Sequence, residues 1–190
     1  MHIPAISRRI GFVNNQRHCR AEDWQGIAQQ AVKIEPKAHD KEKGAKQICA
    51  MYQDDEFGLE VFRGGEAGLK DIGMQFAEVT TYKRGATDFA SQMQKLASSK
   101  CDFVVMGTII RETIGGIATA RRLGFNPTFL GSSAAYTDLI HKLGGPAMNG
   151  FYATMSTQHP YLDEAAQPIR FWANKYKTKF NEDPTVFSVY

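Results

Sequence analysis

A chain of 190 residues with 43% hydrophobic and 23% charged residues carries enough apolar material for one ordinary domain with its own core. The formal net charge of +3 arises from basic and acidic residues that alternate along the chain, so no basic run tracks a phosphate backbone and nucleic acid is excluded as an expected partner. No stretch approaches the ~18 consecutive apolar residues of a membrane span, and Met1-His2-Ile3-Pro4 lacks the charged-then-apolar layout of a secretory signal, so neither membrane insertion nor an export address is expected.

Residues 1–45 scatter Arg and His among apolar residues, with one helix expected at 23–34, where Trp24, Ile27, Ala28 and Ala31 fall at helical spacing. The stretch KEKGAK at 41–46 reads as a solvated turn before the first strand. Residues 47–52 (QICAMY) form a continuous apolar run suited to a parallel strand buried on both faces. Asp54 and Asp55 then offer caps to a helix reaching about 72, with Phe57, Val61, Ala67 and Leu69 near helical spacing. Gly64, Gly65 and Gly68 each lower its propensity by roughly 1 kcal/mol relative to alanine.

A strand is expected at 75–82 and a loop at 83–85, after which Asp88 caps a helix lined by Phe89, Met93, Leu96 and Ala97. Residues 103–106 (FVVM) are a third strand, 110–123 a helix ended by Gly124, 128–130 a fourth strand, and 135–143 a short helix ended by Gly144-Gly145. A fifth strand at 150–155 leads through a polar connection into a helix at 165–180, with Ile169, Trp172, Ala173 and Tyr176 on one face. The terminal TVFSVY reads as a strand without a crossover partner, which implies that a larger protein continues beyond Tyr190. Repeated alternation of strand and helix specifies an α/β fold with right-handed crossovers and a doubly wound parallel sheet, whose ligands collect beyond the carboxyl ends of the strands. The expected division is an N-terminal segment at 1–45, an α/β domain at 46–156, and a crossover with its helix at 157–190.

Enzyme signatures are missing where this fold would display them. There is no HExxH, P-loop or GxGxxG, and Gly131-Ser132-Ser133-Ala134-Ala135 lacks the last glycine of a nucleophile elbow. Tyr136 follows two serines, but the lysine that would lower its phenol pKa is replaced by Ile140. No cofactor or catalytic residue is expected. Cys19, Cys49 and Cys101 are odd in number and fit no ligand spacing, so neither a disulfide framework nor a zinc site is indicated, and Cys49 is expected in the core. His2, His18, His39, His141 and His159 are dispersed and read as surface residues rather than metal ligands. Asp54, Asp55 and Glu56 read as caps, with an acidic metal corner as the alternative. The strand-end loops at 53–57, 107–111 and 131–136 mix apolar and hydroxyl side chains. They suit a small, partly hydrophobic ligand, with helix N-termini favouring an anion such as a carboxylate.

The run Tyr52-Gln53-Asp54-Asp55-Glu56-Phe57-Gly58, then Thr87-Asp88-Phe89, then Cys101-Asp102-Phe103-Val104-Val105-Met106-Gly107, resembles the branched-chain amino-acid binding proteins among type I periplasmic receptors. Arg121-Arg122-Leu123-Gly124 and Phe129-Leu130-Gly131-Ser132-Ser133 extend the resemblance, which covers 46–190. It implies one lobe, the second, of a two-lobed solute-binding protein that serves the membrane subunits of an ABC importer, outside the cytoplasm, with a segment returning toward the first lobe. Ligand-binding positions implied are Gln53, Phe57, Thr108, Ile109, Arg111, Ser133 and Tyr136. Phe57 and Ile109 stand where amino-acid binders carry aromatic contacts, and Ser133 where they carry the glutamate that pairs with the ligand's ammonium. A cation buried without such a partner is strongly disfavoured, so the implied ligand lacks an α-amino group and is a hydrophobic acid such as an aromatic carboxylate. Arg111 is either the carboxylate's partner or a solvated residue on a first helical turn. Two rival readings are a sensory effector module, and a flavodoxin-like enzyme or phosphoacceptor domain with Asp54 as the residue to test.

Overall fold

Among the described residues, five parallel strands form one sheet in the order β2-β1-β3-β4-β5. They are β1 (Ile48–Gln53), β2 (Glu78–Tyr82), β3 (Phe103–Gly107), β4 (Thr128–Gly131) and β5 (Phe151–Ala153). The helices are α1 (Glu56–Asp71), α2 (Ala90–Ser98), α3 (Ile110–Arg122), α4 (Leu139–Gly144) and α5 (Gln167–Phe180). This computed structural model describes residues 45–155 and 159–189. The helix expected at 23–34, the segment to 44, and His2, His18, His39 and Cys19 lie outside them.

Alternation along each strand sorts the core into two faces. Cys49, Met51, Val104, Met106 and Phe129 point to one cluster, closed by Met93 and Leu96 of α2, Ile117 and Ala120 of α3, and Ile140 of α4. Ile48, Phe103, Val105 and Leu130 point to the other, closed by Val61 and Leu69 of α1. Side chains that alternate across a pleated strand need an apolar cover on both faces, which is why the strands read as continuous apolar runs.

Where expectation and structure differ, local bonding or strand pairing accounts for most of the differences. Cys49 and Cys101 form a disulfide, with Cα atoms 5.9 Å apart, correcting the expectation of no such bond. Parallel pairing sets Ile48 opposite Phe103, so a cysteine early in β1 meets one just before β3. A sequence separation of 52 residues gave no sign of it. The helix expected at 135–143 is split into a 3-10 turn at Ser133–Ala135 and α4, and the Thr137 hydroxyl accepts the Leu139 N–H at 3.2 Å in the gap. Such side-chain bonds compete with helix propagation. The terminal segment expected as a strand contains a 3-10 turn at Val186–Ser188, closed by a reciprocal capping box between Thr185 and Ser188. Helix α5 buries only Ala173 of its expected apolar face, and Trp172 is exposed.

Candidate functional site

The strand order turns between β1 and β3, and the crevice at such a switch point is where doubly wound sheets bind ligands. Two glycines shape its floor. A Cβ on Gly58 would lie 1.9 Å from the Gln53 carbonyl oxygen, so α1 starts against the end of β1 only because residue 58 has no side chain. A Cβ on Gly107 would lie 2.7 Å from the Tyr52 Cβ, which brings the end of β3 equally close to β1. Asp55 caps α1 by accepting the Gly58 N–H at 3.0 Å.

Gln53 ends β1 buried, its amide nitrogen donating to Asp55, while its Oε1 is buried without a partner. Phe57 on the first turn of α1 is half-buried against the α1-covered cluster. Thr108 directly follows β3 and is fully buried, its hydroxyl 2.6 Å from that of Thr113. Ile109 occupies the N-cap position of α3, half-buried, and its carbonyl accepts from the Thr113 N–H at 2.9 Å. Arg111 lies on the first turn of α3 with its side chain 70% exposed. Ser133, half-buried, opens the 3-10 turn after β4. These residues share one edge of the sheet, at the ends of β1, β3 and β4.

Tyr136 belongs to a different neighbourhood. Its ring is buried and its hydroxyl lies 2.9 Å from that of Tyr161 and 3.4 Å from Nε2 of His141. His159 stacks on Tyr161 with ring centroids 4.3 Å apart and meets Tyr136 edge-on. The surface role expected of the histidines is corrected for His159, which is 3% exposed with neither ring nitrogen hydrogen-bonded, and for His141, which is half-buried. Burial pushes both histidines below the ordinary range, against the opposing pull of Asp138. Burial also pushes the Tyr136 phenol up.

Sequence reasoning missed three buried polar groups on this rim. Glu112 is fully buried, one oxygen held by Arg111 Nη2 at 3.0 Å and the other without a partner. Tyr82 ends β2 with its hydroxyl near the Ile109 backbone but short of hydrogen-bonding geometry, and its phenol is pushed up by burial, with Glu112 and then Asp55 adding. Ser132 ends β4 with a buried, unpartnered hydroxyl, unlike the more open Ser133 beside it. Glu112 sits in the first turn of a helix, where acids are common for dipole reasons, so nothing in its position alone distinguished it. Of the remaining acids of the rim, Asp54 pairs with Lys83 at the surface and Asp138 with Lys142 at 2.6 Å, while Glu56 is exposed to water on the first turn of α1. Among the described residues no group of three or more His, Cys, Asp or Glu is placed to hold a metal ion.

The profile of the periplasmic binding protein family matches residues 25–190. Over 155 residues the chain is 23% identical to "Leu/Ile/Val-binding protein homolog 7" of Brucella suis, a match covering 80% of this chain and 39% of that protein. A fatty acid ABC transporter substrate-binding protein from Thermomonospora curvata superposes with a TM-score of 0.72 at 21% identity, over 85% of this chain and 41% of the other. An ABC transporter solute binding protein from R. palustris, in complex with benzoate, superposes with a TM-score of 0.71 at 15% identity, over 89% and 43%. The chain thus spans about two fifths of the length of the proteins it matches.

Proposed function

Because the chain belongs to the periplasmic binding protein family, we propose that it forms the second lobe of an extracytoplasmic solute-binding protein that delivers a small hydrophobic carboxylate, such as an aromatic acid, to the membrane subunits of an ABC importer. The family is one of binding proteins and not of enzymes. The observation that carries the ligand class is the charge distribution on the rim. Asp54, Asp55, Glu112 and Asp138 are each engaged within the protein, Glu56 is exposed to water, Ser133 is short and neutral, and the Arg111 guanidinium at the switch point is exposed. A ligand ammonium buried in the crevice would find no unengaged carboxylate among Asp54, Asp55, Glu112 and Asp138, and burying it so is costly. A carboxylate would meet Arg111 and the N-termini of α1 and α3, with Phe57 and Ile109 as apolar contacts.

Two fold neighbours support this reading, since one is named for a fatty acid and another holds benzoate, neither ligand bearing an ammonium group. The test is calorimetric titration of the full-length protein with benzoate and with leucine, before and after Ser133→Glu. The wild type is expected to take benzoate in preference to leucine, and the glutamate to cut benzoate affinity at least about tenfold, which is 1.4 kcal/mol of charge repulsion. An unchanged preference in the variant would remove Ser133 from the site.

A further inference from the structure

We propose that Glu112 is a positioning residue for ligand recognition: buried beneath the switch-point crevice, it holds the Arg111 guanidinium at the rim in readiness for the ligand's carboxylate. The inference rests on the carboxylate reading above and extends it to a residue that does not itself meet the ligand.

Arg111 stands on the first turn of α3, where the helix dipole disfavours a cation, and its side chain is mostly in water. An arginine in that setting is ordinarily a disordered side chain whose surface ion pair contributes little. Here its partner is not on the surface. Glu112 is 0% exposed, and its Oε1 accepts from Arg111 Nη2 at 3.0 Å. A carboxylate taken out of water in this way requires a cation, and Arg111 is its one ion-pair partner among the described residues. The acid therefore restrains the arginine more firmly than a surface acid would, because releasing it leaves a buried charge uncompensated.

Arg111 is the group that holds Glu112, whose other oxygen has no hydrogen-bond partner. Tyr82 faces it from the end of β2, and Asp55, the other acid close to Tyr82, is occupied by the Gly58 N–H and the Gln53 amide. A guanidinium offers five donors in a fixed plane, so one bond to Glu112 leaves the rest of the fork for a second carboxylate.

The experiment uses the full-length protein with Glu112→Gln, Arg111→Gln and the double variant. Affinities are measured for benzoate and for benzamide, its uncharged counterpart of the same shape. If Glu112 orients Arg111, Glu112→Gln weakens benzoate roughly tenfold to a hundredfold, the range of a charge-assisted hydrogen bond, and leaves benzamide unchanged. The double variant then binds benzoate no worse than Arg111→Gln alone. Equal losses for benzoate and benzamide would mean a merely structural role, and losses that multiply in the double variant would mean independent action. Either result overturns the proposal.

A ligand-free measurement separates this inference from the carboxylate reading. In the wild type the Nη resonances of Arg111, assigned by their loss in Arg111→Gln, should be split by hindered rotation of the guanidinium, and they should merge in Glu112→Gln. Split resonances in a protein that binds no hydrophobic acid would sink the ligand reading and keep the clamp. Merged resonances in the wild type would sink the clamp whatever the protein binds, and that readout still decides if Glu112→Gln fails to fold.

Discussion

At the ends of β1, β2 and β3 the buried side chains are polar and incompletely matched, whereas at the ends of β4 and β5 aromatic rings close on one another. Gln53, Tyr82 and Glu112 each keep a buried polar atom without a partner in the first region. In the second, the Tyr136 hydroxyl is taken up by Tyr161 and His141, and His159 is packed between rings. Unmatched buried polar atoms cost free energy, and the second region has its own in the Ser132 hydroxyl and both His159 ring nitrogens. What sets the first region apart is that its amide, phenol and carboxylate gather around the switch-point crevice. The other half resembles a latch between the loop after β4 and the segment after β5. Among the expected ligand contacts, Tyr136 therefore stands apart from Gln53, Phe57, Thr108, Ile109 and Arg111.

The largest expected effect comes from below the first region, where the Cys49–Cys101 disulfide ties the amino ends of β1 and β3. Closing a loop of 52 residues is expected to contribute about 4 kcal/mol in the chain-entropy account. Denaturant unfolding of a Cys49→Ala/Cys101→Ala variant should show a loss of that order. A loss confined to a few tenths would mean that strand pairing alone holds the crevice floor together.

A smaller effect is expected at Gly58. Alanine is ordinarily better than glycine within a helix by about 1 kcal/mol. At this position its Cβ meets the Gln53 carbonyl at 1.9 Å, so α1 must move away from β1. Gly58→Ala should destabilise by about 1–3 kcal/mol in a thermal melt. It should weaken ligand binding as well, because Phe57 and the α1 N-terminus move together. A variant as stable as the wild type would show that the close approach of α1 to β1 is not needed.

The smallest effect belongs to the second region and depends on pH. His159 faces Tyr136, Tyr161, His141, Asp138 and Lys142, and burial leaves its folded-state pKa below the ordinary value. The unfolded chain accordingly binds a proton first as acid is added. Stability should be full above the ordinary histidine pKa of about 6.5 and should fall as pH drops from there toward the depressed folded value. His159→Phe, which keeps a ring and removes the titration, should flatten the dependence of melting temperature on pH below that point. A variant with the same slope as the wild type would place the titrating group elsewhere.

Much of this was legible in the sequence, and the reasons are local. Short apolar runs such as FVVM at 103–106, rich in β-branched and aromatic residues, read as strands covered on both faces, Asp55 and Gly124 punctuate helices by their own chemistry, and the alternation of the two patterns implies the parallel sheet. The positions of Gln53, Phe57, Ile109 and Ser133 at strand ends followed from that topology. Tertiary structure alone decided the rest, because it depended on partners distant in sequence. Parallel pairing of β1 with β3 joined Cys49 to Cys101, and packing drew His159 beneath Tyr136. Helix α5 has an amphipathic pattern that promised a buried Trp172, yet only Ala173 is buried. Periodicity states which residues share a face, whereas burial depends on what lies opposite that face. Glu112 shows the same limit at the site: its residue type placed it in a first helical turn, but only the folded chain took its carboxylate out of water and set it against Arg111.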